Sequence, residues 1–166
     1  MLSKINICRI LREHIRTFKS DGGSESSTGD VIVFVGVPIA LSFVIFKFSH
    51  ADFLSESILN SLITVFSILV GLLLNLLLLI MTVVQKEEEK LSDRQIKNRI
   101  NLLSQLYANI SYAILASLAV VCFSVIAFSG YHMIRLISSF VIVGVTIHVC
   151  LTVLMIIKRI YSLLHP

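Results

Sequence analysis

Charge is scarce in this chain: only 14% of its 166 residues are Asp, Glu, Lys or Arg. Soluble domains carry about 25%. With 56% hydrophobic residues and a mean hydropathy of +0.92, the composition excludes an ordinary soluble domain and points to an integral membrane protein. Tryptophan is absent, so any aromatic belt at the membrane interface is left to Tyr107, Tyr131 and Tyr161. The three cysteines are Cys8, Cys122 and Cys150; the last two lie in apolar runs, and no His/Cys ligand spacing surrounds any of them. A disulfide framework and a zinc site are therefore not indicated, and all three read as packing residues. No acidic residue lies within the long apolar runs. No Ser/His/Asp set, HExxH motif or glycine-rich phosphate loop is present. The chain reads as a non-enzyme with no cofactor and no metal. The first nineteen residues lack the continuous apolar core of a cleavable signal peptide, so the first apolar run is expected to be a retained anchor.

What is present is four apolar blocks, Val31 to Phe48, Ile58 to Val84, about Leu106 to Phe128, and Met133 to Ile157. Each is near or above the ~18 residues of a spanning candidate. The expected fold is all-α, with four transmembrane helices at about 31–48, 57–85, 106–129 and 133–157. Ahead of them, residues 1–20 form a basic amphipathic arm. Its apolar face carries Ile5, Cys8, Leu11, Ile15 and Phe18, which suits the inner membrane surface. Residues 21–30, DGGSESSTGD, have the composition of a flexible linker that lets the arm move independently. Twelve of the fourteen Lys and Arg residues lie in the arm, in the 86–99 region and at Lys158 and Arg159. Lys47 and Arg135 are the other two. By the positive-inside rule, both termini and the central loop are expected on the cytoplasmic face of a bacterial inner membrane.

Local signals refine the plan. Pro38 should bend the first span unless a neighbour satisfies the carbonyl it frees. Ser92 followed by Gln95 can start a helix, so that the third span extends back to Asp93 and forms a cytoplasmic helical hairpin with the end of the second. Asn109, Ala113, Ala116, Ser117, Ser124 and Ala127 share one face, where small residues permit close helix approach. Gly144, His148 and Thr152 follow one another at i, i+4 spacing in the fourth span. His148 is either a proton-relay group or a residue hydrogen-bonded in a helix interface. No internal repeat supports an inverted-repeat transporter, and Arg135 lacks the repeated spacing of a voltage sensor.

Two features bear on function. In the second span, Ser57, Asn60, Thr64, Ser67, Gly71, Asn75, Thr82 and Gln85 fall within a sector of about 80° at ~100° per residue. Such a stripe serves either as a pore lining or as a packing seam. A pore requires a ring of copies, each turning this face to the axis, and a tetramer is the favoured ring. The candidate pore-lining residues are Asn60, Thr64, Ser67, Gly71, Asn75 and Thr82. Leu78 interrupts them with Leu74 and Met81 alongside, a candidate hydrophobic gate that closes by dewetting. The second feature is the set of cations Arg9, Arg12, Arg16, Lys19, Lys97, Arg99, Lys158 and Arg159. They either follow from the positive-inside rule alone or form a surface for the phosphates of a nucleotide or oligonucleotide.

The basic arm, the segments VPIALSF and GLLLNLLLLIMTVVQKEEEK, and the plan of spans with a short cytoplasmic hairpin resemble the small multi-span membrane effectors of bacterial anti-phage systems, in particular the channel-forming effector of the Hailong system. The resemblance implies a homo-oligomeric channel opened by an oligonucleotide from a partner nucleotidyltransferase, with depolarisation and abortive infection as the outcome. It assigns no ligand residue to a position here. The alternatives are a nonconducting membrane anchor or regulatory subunit, and a holin-like lysis protein.

Overall fold

The computed structural model describes residues 7–17, 32–48, 54–87, 93–128 and 131–164; side chains at 7–9, 16–17, 83–87, 93–101 and 162–164 lie outside that description. Among the described residues the fold is all-α, without a strand. The helices are α1 (Ile7–Thr17), α2 (a π-helical turn Ile32–Gly36 running into Val37–Phe48), α3 (Glu56–Glu87), α4 (Asp93–Ala127) and α5 (His132–Leu164). The expected linker 21–30, Lys19, and the turn after Glu87, including Ser92, fall outside the described residues; α4 begins one residue after Ser92.

Among the described residues, three helices are long and apolar enough to cross a membrane, over Glu56–Thr82, Leu102–Ala127 and His132–Tyr161. At 32, 35 and 33 residues, α3, α4 and α5 reach ~50 Å against ~30 Å of hydrocarbon, so they tilt or extend beyond it. The first expected span is shorter than these. Five π-helical and twelve α-helical residues make α2 only about 25 Å long.

α2 is broken for an identifiable reason. Pro38 has no N–H, so it cannot bond the carbonyl four residues back, that of Phe34. His148 of α5 replaces that donor: its Nδ1–H reaches Phe34 O at 2.8 Å. One turn on, Ser42 Oγ donates to Pro38 O at 2.7 Å, and Ser42 is buried against α5. There the missing side chain of Gly144 makes room, since a Cβ at 144 would stand 3.1 Å from Ser42 Oγ. The carbonyl that Pro38 frees is therefore satisfied from α5, and His148 is the hydrogen-bonded interface residue of the two expected alternatives.

The helices pack as a row. α4 is the shared neighbour of α3 and α5, α2 lies on α5, and α1 lies on α4; among the described residues α3 and α5 make no close backbone approach. α4 holds the centre because its small residues form the contact face. Asn109, Ala113, Ala116, Ser117, Ser124 and Ala127 are all buried, five of them at 0–2% exposure beside Val120 and Ile110. Lipid is as apolar as leucine, so this contact gains by van der Waals packing rather than by removal from water. One cluster joins Leu59 and Phe66 of α3 to Val120 and Ala127 of α4 and Ile142 and Val149 of α5. The other joins Leu73 and Ile80 to Leu106, Ile110 and Ile156. Arg135 closes the Leu54 end, its Nη2 donating to Leu54 O at 3.0 Å.

Candidate functional site

The face α3 presents to its own chain is set by a seven-residue spacing, Leu59, Phe66, Leu73 and Ile80, all buried. At ~100° per residue, the polar stripe lies about 160° around the helix from it. Asn60, Thr64, Ser67, Gly71, Asn75 and Thr82 are accordingly all exposed, and a Cβ on Gly71 would meet nothing within 4 Å. The stripe does not pack against the described residues of its own chain, so a packing seam along it would lie between copies. Leu74, Leu78 and Met81 are exposed with them, at 45%, 61% and 44%. Beside the stripe, Val65, Ile68, Leu72 and Leu79 form an exposed, wholly apolar strip. α3 thus has one face for its own chain, one suited to lipid and one that is polar.

The hydroxyls on the stripe do not by themselves demand water. Thr64 Oγ1 donates to Asn60 O at 3.0 Å and Thr82 Oγ1 to Leu79 O at 2.7 Å, which makes them tolerable in lipid. The amides differ. Asn60 and Asn75 have no side-chain partner among the described residues, and an uncompensated amide in an apolar medium costs roughly 2–7 kcal/mol. Their face therefore belongs against water or polar groups outside this chain.

The cations scatter. Arg12 and Lys158 are exposed, whereas Arg159 is only 4% exposed. Its burial removes it from the surface on which the sequence grouped it. The side chains of Arg9, Arg16, Lys97 and Arg99 lie outside the described set, as does the whole of Lys19. The cysteines need a correction as well. Cys122 and Cys150, expected to pack, are exposed on the outer faces of α4 and α5.

A second polar constellation lies where α1 meets the row. Instead of standing apart, the arm docks on α4 through His14, 2% exposed, while Leu11 and Ile15 of its apolar face remain exposed at 41% and 52%. His14 stacks on Tyr112 with ring centroids 3.9 Å apart and planes at 9°. Its Nδ1–H donates to Asn109 Oδ1 at 2.9 Å. The His148 ring stands edge-on to both, 5.4 Å from Tyr112 and 6.1 Å from His14. Burial, reinforced by the charges of His148 and Arg159 and opposed by the Asn109 hydrogen bond, lowers the His14 pKa from 6.5 to about 4. Beside this niche, Ile10 and Glu13 of α1 and Ser104, Tyr107, Ala108 and Ser111 of α4 line a half-open cleft of about 440 Å³. Among the described residues that line it, Glu13 is the one charged group. His14 escaped the sequence reading because it flanks the arm's apolar face and belongs to no motif. The available clue was Asn109, a buried amide that needs a partner.

These features define an all-α protein with three helices fit to cross a membrane and a polar face turned away from its own core. Comparison with models of protein families, with curated proteins and with solved structures finds no match.

Proposed function

We propose that this protein is a membrane channel built from a ring of identical subunits, with the α3 stripe lining the axis and Leu78 closing it. The observation that carries the reading is the position of Asn60 and Asn75: on a helix fit to span a membrane, opposite the face packed on α4, and without a side-chain partner among the described residues. α3 stands at the end of the row, so a ring of copies can bring its stripes together without disturbing either core cluster. Each subunit keeps Val65, Ile68, Leu72 and Leu79 for lipid or for its neighbour.

Leu78 is 22 residues beyond Glu56, or ~33 Å along the helix, near the end that leads to Lys86. With the Lys/Arg-rich segments in the cytoplasm, this places a hydrophobic constriction close to the inner face, where a soluble trigger can act on it. An anionic nucleotide or oligonucleotide held by the cytoplasmic cations is the trigger this reading favours, with Arg12 and Lys158 as exposed contributors. Depolarisation in anti-phage defence, beside a nucleotidyltransferase that makes the messenger, is the corresponding setting.

A second reading draws on the Thr64 and Thr82 hydroxyls, which are satisfied by their own helix and so suit a dry seam between copies in a nonconducting assembly. Potassium flux from liposomes holding the reconstituted protein separates the two. For a channel, Leu78→Ser raises basal flux, Leu79→Ser, about 100° away, does not, and Asn75→Leu assembles but conducts poorly. Equal effects at 78 and 79, or no flux from any variant, overturn the channel.

A further inference from the structure

The arm is held on one side. α4 is the helix that α1 packs on. Arg12, Leu11 and Ile15 are exposed, so the hold rests on the other side of α1, where Ile10 borders the cleft and His14 enters the row.

What surrounds His14 decides how that hold can be broken. From α4 come the Tyr112 ring and the Asn109 amide oxygen. From α5 come the His148 imidazole and the buried Arg159 guanidinium. From α1 itself, Glu13 is turned to the cleft and Arg12 is exposed. The groups that act on His14 include a cation and a second imidazole, both of which disfavour its charged form. A neutral ring is well accommodated there, with a stacked face and one hydrogen bond. An imidazolium is not, since it loses its hydration inside the row beside like charge.

We propose that α1 is a latch whose docking on α4 is released when His14 takes up a proton. The inference concerns the position of the arm and holds whether or not the α3 stripe conducts. It follows that an undocked arm, with its histidine in water at the ordinary 6.5, binds the proton more tightly than the docked arm at about 4. Docking is therefore at full strength above pH 6.5, weakens as the pH falls from there, and stops changing below about pH 4. Linkage between those two values gives a docking constant about 30-fold weaker at pH 5 than at pH 7.5, and at most about 300-fold weaker at any pH.

The test uses the full chain in lipid nanodiscs with its native cysteines replaced and spin labels at the exposed positions Arg12→Cys and Leu118→Cys, diluted with unlabelled subunits. Between pH 7.5 and pH 5, the odds of the long-distance, undocked population should rise about 30-fold. In the His14→Phe variant, which keeps the stack on Tyr112 without a proton site, the distribution should be the same at both pH values. No change in the parent protein down to pH 4.5 overturns the proposal, as does a His14→Phe variant that responds like the parent. As a second measurement independent of that variant's folding, the His14 ring carbons in the unlabelled protein should stay in the neutral form at pH 5.5 and above while the arm is docked. A midpoint near 6.5 with the arm docked overturns it equally.

Discussion

Removal of the His148 imidazole tests whether a partner helix holds the break at Pro38, because the same bond can be restored by a different route. His148→Phe keeps a ring of similar size beside Tyr112 but takes from Phe34 O the donor that stands 2.8 Å away. A half-buried acceptor that loses this donor costs up to ~1–3 kcal/mol. In Pro38→Ala the N–H of residue 38 returns and can make the ordinary i−4 bond to the same carbonyl, so His148→Phe in that background should cost only what the changed packing costs. The expected coupling between the two positions is about 1–2 kcal/mol, well outside the ~0.3–0.5 kcal/mol scatter of independent sites. The cycle is read by far-UV circular dichroism as sodium dodecyl sulfate is titrated into the protein in maltoside micelles, taking the cooperative loss of helix for each of the four proteins. If His148→Phe costs the same with proline and with alanine at 38, the imidazole does not stand in for the missing N–H.

The two glycines facing opposite ways make a matched pair. Gly144→Leu should push α2 off α5 and destabilise by ~1–3 kcal/mol, because even a Cβ there lies 3.1 Å from Ser42 Oγ; Gly71→Ala, with nothing nearby, should leave the monomer as stable or up to ~1 kcal/mol more stable, in the same micelle titration. Replacing Arg12 and Lys158 with Gln should weaken binding of a short oligonucleotide to the purified protein and lower the slope of log affinity against log salt by somewhat under one per lost phosphate contact; an unchanged slope in filter binding assigns these cations to topology alone.

The helical content and the long apolar elements were legible because apolar run length and periodicity are read directly from the residues. The α3 stripe was visible for the same reason. What could not be read was which side of α3 met its own chain, since leucine fills both flanks of the stripe. The seven-residue spacing of Leu59, Phe66, Leu73 and Ile80 carried that information but does not stand out in a helix where leucine and isoleucine dominate. Pro38 announced a freed carbonyl, yet its donor lies 110 residues further on, at His148, and only the fold brings them together. The arm shows how a strong local signal can mislead. Its apolar face, Leu11 and Ile15, is the amphipathic feature of the sequence, but docking uses the flank that carries Ile10 and His14. Arg159 and the exposed cysteines follow the same lesson, since a helix end in a row of helices can bury a cation and expose a thiol that hydropathy alone would place the other way.

Water at the α3 stripe is the central claim, and cysteine accessibility measures it directly. In a background with Cys8, Cys122 and Cys150 replaced, single cysteines are placed along α3 in the reconstituted protein and exposed from both sides of the membrane to a charged methanethiosulfonate. Reaction is expected at 60, 64, 67, 71 and 75, recurring with the helical period, and none at 65, 68, 72 and 79. Stripe positions as unreactive as those four would mean that the face is dry, and would contradict the account.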